Sequence, residues 1–247
     1  MTAMKVAIVD DEELARKLLR EYLSAYDDIE IAAECANGFE AVKAVTDLKP
    51  DLLLLDIQMP RLDGFEVLEL IGREVDVIFV TAYDKYALRA FEVHAVDYLL
   101  KPFSAERLRE ALDRARKRRA TKETLPVKEL TASARSAGAK VERILIRDGA
   151  NVHVIPVSKL DYAEAQDDYV CFRSEGKQYL KQQTLGEVET VLDPGQFVRI
   201  HRSYILNIER LAKLELYAKD SHAAVLRDGA RLPVSRAGYA RLSAVLK

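Results

Sequence analysis

The chain predicts an α/β doubly wound, five-stranded parallel sheet followed by a small, mostly-β domain. Three observations carry this reading. Leu52–Leu55, four consecutive leucines fenced by Pro50 and Pro60, are too few for a helix and apolar on both faces, as a strand covered by helices must be. Around them, short apolar runs alternate with helical periodicity to about residue 118. From residue 141 the period changes from that of a helix to that of strands.

Taken in order, Lys5–Val9 is a strand ending in Asp10-Asp11, and Leu14, Leu18 and Tyr22 then recur at helical spacing. Ile29–Ala33 leads through Asn37-Gly38 into a helix carrying Ala41, Val42 and Val45. After the leucine strand, Asp63-Gly64 opens a helix with Phe65, Leu68 and Ile71, followed by the strand Val75–Ala82. A helix near Lys85–Glu92 and a strand Ala95–Leu100 come next. Ser104 can cap a last helix whose Leu108, Ala111, Leu112 and Ala115 form an i, i+3, i+4, i+7 stripe.

Every chemical candidate falls just after a strand: Asp10 and Asp11 after the first, Asp56 after the third, Thr81 at the end of the fourth, Lys101 after the fifth. The carboxyl ends of a doubly wound sheet converge on one crevice, so these residues can meet. An ionised carboxylate is costly to bury alone, so Asp56 belongs at the strand end, with a cation and a phosphate as its companions.

Val9-Asp10-Asp11, Leu55-Asp56-Ile57-Gln58-Met59-Pro60-Arg61-Leu62-Asp63-Gly64, Val80-Thr81-Ala82 and Asp97-Tyr98-Leu99-Leu100-Lys101-Pro102-Phe103 together resemble the motif set of two-component receiver domains. The resemblance implies that Asp56 accepts a phosphoryl group from a sensor histidine kinase. It implies that Asp10, Asp11, Asp56 and the Gln58 carbonyl hold Mg²⁺, Asp10 mainly through water. Lys101 and Thr81 would contact the phosphoryl group, and Tyr98 would be the aromatic that turns inward behind Thr81. Met59-Pro60 would shape the loop after the nucleophile, and Lys101-Pro102 matches a cis peptide bond. The chemistry agrees with the residue types, since Mg²⁺ favours hard oxygens and a carboxylate nucleophile needs chiefly positioning and charge cancellation. Phosphorylation is expected to bias the face around the fourth helix and fifth strand, which would form a homodimer.

After Ala115 the composition turns to Arg116-Lys117-Arg118-Arg119 and then to a Thr-, Ser- and Ala-rich stretch, read as a helix fraying into a tether. The expected division is a receiver at 1–118, a linker at 119–140 and a C-terminal domain at 141–247.

That domain offers strands at Val141–Ile146, Asn151–Pro156, Leu160–Ala165, Tyr169–Arg173, Gln178–Gln182, Phe197–Ile200, Tyr204–Asn207, Leu211–Tyr217, Ala223–Leu226 and Arg231–Val234. Helices are expected at Thr184–Leu192 and Tyr239–Leu246. It holds no nucleophile–base set, metal-ligand spacing or phosphate loop. Arg199-Ile200-His201-Arg202-Ser203 places two cations and a hydroxyl at the start of a strand, and Ser235-Arg236 adds another pair in a late loop. Arg clamps guanine or phosphate bidentately, and Ser and His suit phosphate positioning.

Asp161-Tyr162-Ala163-Glu164-Ala165, Asp168-Tyr169-Val170, Phe197–Asn207 and Leu232-Pro233-Val234-Ser235-Arg236 resemble the LytTR DNA-binding domain, which inserts loops into the major groove. By position, Arg202 and Arg236 would read bases, while His201, Ser203, Tyr169 and Lys181 would touch the backbone. Asp167-Asp168 departs from the polar side chain usual there, and an acidic pair repels phosphate.

Residues 1–117 hold 16 Lys and Arg against 24 Asp and Glu, a net −8; the remainder holds 22 against 16, a net +6. An acidic half is joined to a basic one; six positive charges over that length are modest, and an ordinary solvated surface accounts for them as well as an anionic partner does. Cys35 and Cys171 fall in different halves, so no disulfide framework is indicated and a reducing compartment suits the chain. No apolar run reaches the length of a membrane span, and the first residues lack a signal-peptide core, so a soluble, cytoplasmic protein is expected. The whole reads as a transcription regulator, not an enzyme apart from Mg²⁺-dependent phosphotransfer onto its own Asp56. The rival readings are a receiver coupled to a protein- or ligand-binding module and a Mg²⁺-dependent phosphatase; Gln58, where the latter would need a second Asp, speaks against it.

Overall fold

The computed structural model describes residues 3–72, 75–87, 90, 93, 95–121, 141–218 and 221–246. The parallel sheet and the five-stranded antiparallel sheet fall in two separate units.

In the first unit the strands β1 (Met4–Val9), β2 (Ile29–Cys35), β3 (Leu52–Leu55), β4 (Asp76–Thr81) and β5 (Asp97–Leu100) form one parallel sheet in the order β2-β1-β3-β4-β5. The helices are α1 (Glu13–Leu23), α2 (Gly38–Leu48), α3 (Gly64–Ile71) and α4 (Ala105–Thr121). Leu52–Leu55 are each fully buried, because alternate leucines face opposite helix layers. Leu52 and Leu54 join Val6, Ile8, Ile78, Val80 and Leu99 beneath Leu19 and Leu23 of α1 and Leu108, Ala111, Leu112 and Ala115 of α4. On the opposite face Phe65 of α3 packs on Phe79 with ring centroids 5.0 Å apart. Local chemistry sets the helix starts: Asn37 accepts the Glu40 N–H, and Asp63 forms a reciprocal capping box with Glu66.

Two expectations need correction here. Leu14 and Leu18 are 79% and 39% exposed, so the buried face of α1 is Leu19 and Leu23, with Tyr22 packing beside them. And α4 does not fray after Ala115. It continues to Thr121 because Arg116 pairs with Asp113 one turn back and with Asp28, Arg118 with Asp76 and Arg119 with Asp51; the last three carboxylates precede or open β2, β4 and β3. Half of the helix expected near Lys85–Glu92 lies outside the described residues; Asp84–Tyr86 form a 3₁₀ turn, and Ala87 and Ala90 are helical. The linker expected at 119–140 lies outside them from residue 122 onward.

Strand β6 (Arg143–Asp148) pairs with β7 (Asn151–Pro156), and the second unit holds a five-stranded antiparallel sheet in the order β10-β9-β8-β12-β11. Its strands are β8 (Leu160–Gln166), β9 (Tyr169–Ser174), β10 (Lys177–Gln182), β11 (Phe197–His201) and β12 (Tyr204–Asn207). A third sheet runs β13 (Leu211–Ala218), β14 (Ser221–Leu226), β15 (Arg231–Val234). Helix α5 (Leu185–Val191) buries Leu185 and Val188, with Leu192 just beyond it, against one face of the five-stranded sheet. Leu242 of α6 (Arg236–Val245) joins Val198, Ile200 and Leu206 with the third sheet. The last helix starts three residues earlier than expected, because the Ser235 hydroxyl caps it by accepting the Gly238 N–H. Arg236 therefore opens a helix and does not sit in a loop.

Candidate functional site

Adjacent strands β1, β3, β4 and β5 deliver their carboxyl ends to one crevice. The register aligns Val9 with Leu55, Leu55 with Phe79 and Thr81 with Leu100, so the residues that follow emerge side by side. Asp10 is 1% exposed, Asp56 6% and Thr81 0%, while Asp11 stands open to solvent. The Lys101 ammonium lies 2.6 Å from Asp10 Oδ2 and 3.3 Å from Asp56 Oδ2. Asp10 Oδ1 also accepts the Glu12 N–H at 3.0 Å, and Asp56 Oδ1 the Gln58 N–H at 3.3 Å. Gln58 is exposed and Met59 buried in the loop beyond, which closes when the Gly64 N–H donates to the Ile57 carbonyl at 2.8 Å. A Cβ on Gly64 would lie 2.4 Å from the Asp56 carbonyl oxygen, so only glycine lets α3 begin this close to the carboxylate. The Lys101-Pro102 peptide bond is cis.

The electrostatics are those of an anionic pocket short of cations. Burial raises the Asp10 carboxyl above its ordinary range even with Lys101 in contact. Burial would depress the Lys101 ammonium, but the Asp10 hydrogen bond and the Asp56 charge lift it instead. Asp10, Asp11 and Asp56 each offer a carboxylate oxygen, all within 4.8 Å of one another. Three hard oxygen donors converging where negative charge is under-compensated fit a small divalent cation such as Mg²⁺. The Thr81 hydroxyl is buried without a hydrogen-bond partner among the described residues, a group poised for an incoming acceptor.

Tyr98 is half-buried, and its hydroxyl donates to the Tyr83 carbonyl, two residues beyond Thr81. Burial and the carboxylates of Asp84 and Asp56 push this phenol up to about 12, so it remains a donor at neutral pH. Sequence reasoning missed what holds Tyr98. The buried Asp97 carboxylate accepts the Tyr98 N–H at 2.8 Å and a bidentate clasp from Arg107 at 2.7 and 2.8 Å, and Arg107 also reaches the Tyr98 carbonyl at 3.1 Å. Arg114 adds a contact to Asp97 at 3.0 Å. Burial alone would raise Asp97, but the Arg107 and Tyr98 hydrogen bonds and the two arginine charges hold it below its ordinary range. The available signal was Asp97 ten residues before Arg107, which nothing in periodicity singles out.

In the second unit, register carries five of the six expected contact residues to one end of the five-stranded sheet and Lys181 next to it. Arg202 and Ser203 form the turn between β11 and β12, with His201 and Tyr204 paired beneath them, so the cluster closes a hairpin and does not start a strand. The Ala165 N–H donates to the Ser203 carbonyl at 2.9 Å, which sets the end of β8 beside this turn; Tyr169 opens β9 opposite Gln166 and Gln182. Ser235 donates through its N–H and hydroxyl to the Ile200 carbonyl at 2.9 and 3.1 Å, which brings the first turn of α6, with exposed Arg236, to the same end. Lys181 pairs with buried Val170 and so faces the α5 side, whereas Tyr169 faces the other. Asp167 occupies the left-handed region (φ 50°) of an exposed acidic turn at this end.

Two stretches of the chain match known protein families. Residues 6–113 match the response regulator receiver domain and residues 150–247 match the LytTr DNA-binding domain. Fold and site thus define a response regulator: a parallel-sheet receiver joined to a DNA-binding output domain. The chain is 36% identical over 236 residues to the transcriptional regulatory protein BtsR of Salmonella typhi, covering 94% of this chain and 95% of that protein. It is 31% identical to the sensory transduction protein LytT of Bacillus subtilis with the same coverage. The chain belongs to the LytTR response regulators, transcription regulators controlled through their receiver domains. Among the described residues no helix is long and apolar enough to cross a membrane.

Proposed function

We propose that a sensor histidine kinase transfers a phosphoryl group to Asp56, and that the modified protein dimerises and binds a pair of promoter half-sites through its C-terminal domain. The observation that carries the reading is the buried Asp10–Lys101–Asp56 contact beside the unpartnered Thr81 hydroxyl. An oxygen of Asp56 attacks phosphorus, the bond to the donor nitrogen breaks, and that nitrogen leaves on the kinase histidine. Lys101 moves from bridging two carboxylates to neutralising a phosphoryl oxygen, and the Thr81 hydroxyl turns to donate to another. Mg²⁺, which Asp10, Asp11, Asp56 and the Gln58 carbonyl would hold, supplies further charge cancellation during transfer. As Thr81 moves, its loop carries Tyr83, whose carbonyl holds the Tyr98 hydroxyl, so the readout reaches β5.

At one end of the five-stranded sheet, Arg202 and Arg236 would read base edges. His201, Ser203, Tyr169 and Lys181 serve the phosphates, with Lys181 on the opposite side of the ladder from Tyr169. The division at 1–118, 119–140 and 141–247 belongs to the same proposal; α4 running to Thr121 moves the end of the receiver a turn later. Incubation with a radiolabelled small-molecule phosphodonor and Mg²⁺ tests the first half. Wild type should become labelled and Asp56→Asn should not, with equal unfolding midpoints. Labelling of Asp56→Asn at the wild-type level overturns the assignment.

A further inference from the structure

The pairing of β11 with β12 is irregular just where it approaches the turn that carries Arg202. The register runs Val198 with Leu206 and Arg199 with Ile205, then jumps to His201 with Tyr204, leaving Ile200 as the extra residue of a bulge. A bulge loosens the ladder, so ladder hydrogen bonds alone do not fix the direction of the turn. The missing restraint comes from charged side chains. Arg199 donates Nη2 to the Arg202 carbonyl at 3.1 Å and Nη1 to Glu189 Oε2, on α5, at 2.8 Å. The Arg199 carbonyl in turn accepts Nε and Nη2 of Arg241, on α6, at 3.0 and 2.7 Å. Helix α5, strand β11, the Arg202 turn and helix α6 are thereby tied at a single residue. The carbonyl of bulged Ile200 is held by Ser235, next to Arg236, so the two arginines expected to read bases hang from adjacent residues of one strand.

We propose that Glu189, Arg199 and Arg241 are positioning residues. They fix the Arg202 turn relative to Arg236 and so set sequence specificity without touching DNA. Arg199 is unsuited to the phosphate contact that its sequence neighbours suggest, because its charge is already paired with Glu189. Geometry, more than charge, is what it supplies: a planar guanidinium holds separate nitrogens, in a fixed fork, toward two acceptors on different elements, a geometry that the point charge of a lysine ammonium does not reproduce. This inference rests on the base-reading role of Arg202.

The test uses the full-length protein, its preferred duplex and a scrambled duplex, titrated across a range of salt. Arg199→Ala should weaken binding to the preferred site about three- to tenfold, as loss of partly exposed charged hydrogen bonds implies, and leave scrambled-duplex binding and the salt slope unchanged. Arg199→Lys should fall with Arg199→Ala, and Glu189→Gln, which leaves Arg199 in place, should lose part of the same affinity. In an Arg202→Ala background the Arg199 effect should disappear, since coupled residues are non-additive. A salt slope reduced by about one makes Arg199 a phosphate contact and overturns the proposal. So does full additivity with Arg202→Ala, or equal loss on both duplexes. Unchanged preferred-site affinity in Arg202→Ala alone overturns the base-reading role first, and the brace with it.

Discussion

Single residues carry the chemistry, and their environments say what each can do. Lys101 bridges Asp10 and Asp56 across a pocket where burial already works against ionised Asp10, so an added phosphoryl group would meet a cation and a Thr81 hydroxyl that has no hydrogen-bond partner among the described residues. In the output domain Arg202→Ala should cost about 1–3 kcal/mol on the preferred site if it reads a base; competition binding against duplexes altered one position at a time measures both the loss and the relaxed position. Asp97 gives a pH prediction. Its folded-state pKa is depressed, so its contribution to stability is present above the unfolded value near about 3.9 and is lost as pH falls through the lower folded value. The stability difference between wild type and Asp97→Asn should thus be constant above about pH 5 and shrink below about pH 4. Urea unfolding across that range checks it, and a difference that grows on acidification contradicts the sign.

Elements were legible where the period is unambiguous. Leu108, Ala111, Leu112 and Ala115 admit one buried stripe, and those four residues are the buried face of α4. In α1 the sequence carries two stripes spaced by four, Leu14-Leu18-Tyr22 and Leu19-Leu23, and periodicity cannot choose between them; the core took the second. Three carboxylates far away in sequence, Asp28, Asp51 and Asp76, decide where α4 ends, so its basic tail looked like a solvated terminus. The candidate crevice was legible because strand ends in a doubly wound sheet must converge. The Asp97–Arg107 clasp and the Arg199 brace were not, because each depends on contacts between elements that no spacing rule encodes.

Two glycines test how the elements meet. A Cβ on Gly238 would lie 1.8 Å from the Ile200 carbonyl oxygen, backbone against backbone, so α6 cannot seat on β11 with any other residue there. Gly238→Ala should destabilise the C-terminal domain by at least about 1–3 kcal/mol, read as a lowered unfolding midpoint, while receiver phosphorylation is unaffected. Gly64→Ala should do the reverse, displacing α3 from the Asp56 carbonyl and slowing phosphoryl uptake while leaving sequence-specific DNA binding by the output domain intact.

At the scale of the whole molecule, an acidic half whose Asp10, Asp11 and Asp56 converge on one crevice is joined to a basic half whose Arg202 and Arg236 gather at one sheet end. The charge division means that DNA affinity should fall steeply with salt, linearly in log–log form, while phosphoryl uptake should not follow that slope. The central claim is that phosphorylation at Asp56 controls sequence-specific DNA binding. It is tested most directly by selecting bound duplexes from a random pool with the full-length protein, with and without beryllofluoride and Mg²⁺ to mimic phospho-Asp56. The account predicts one enriched motif, repeated in two half-sites and bound more tightly with the mimic, and loss of that tightening in Asp56→Asn. An enriched motif bound equally with and without the mimic, or no enriched motif at all, contradicts it.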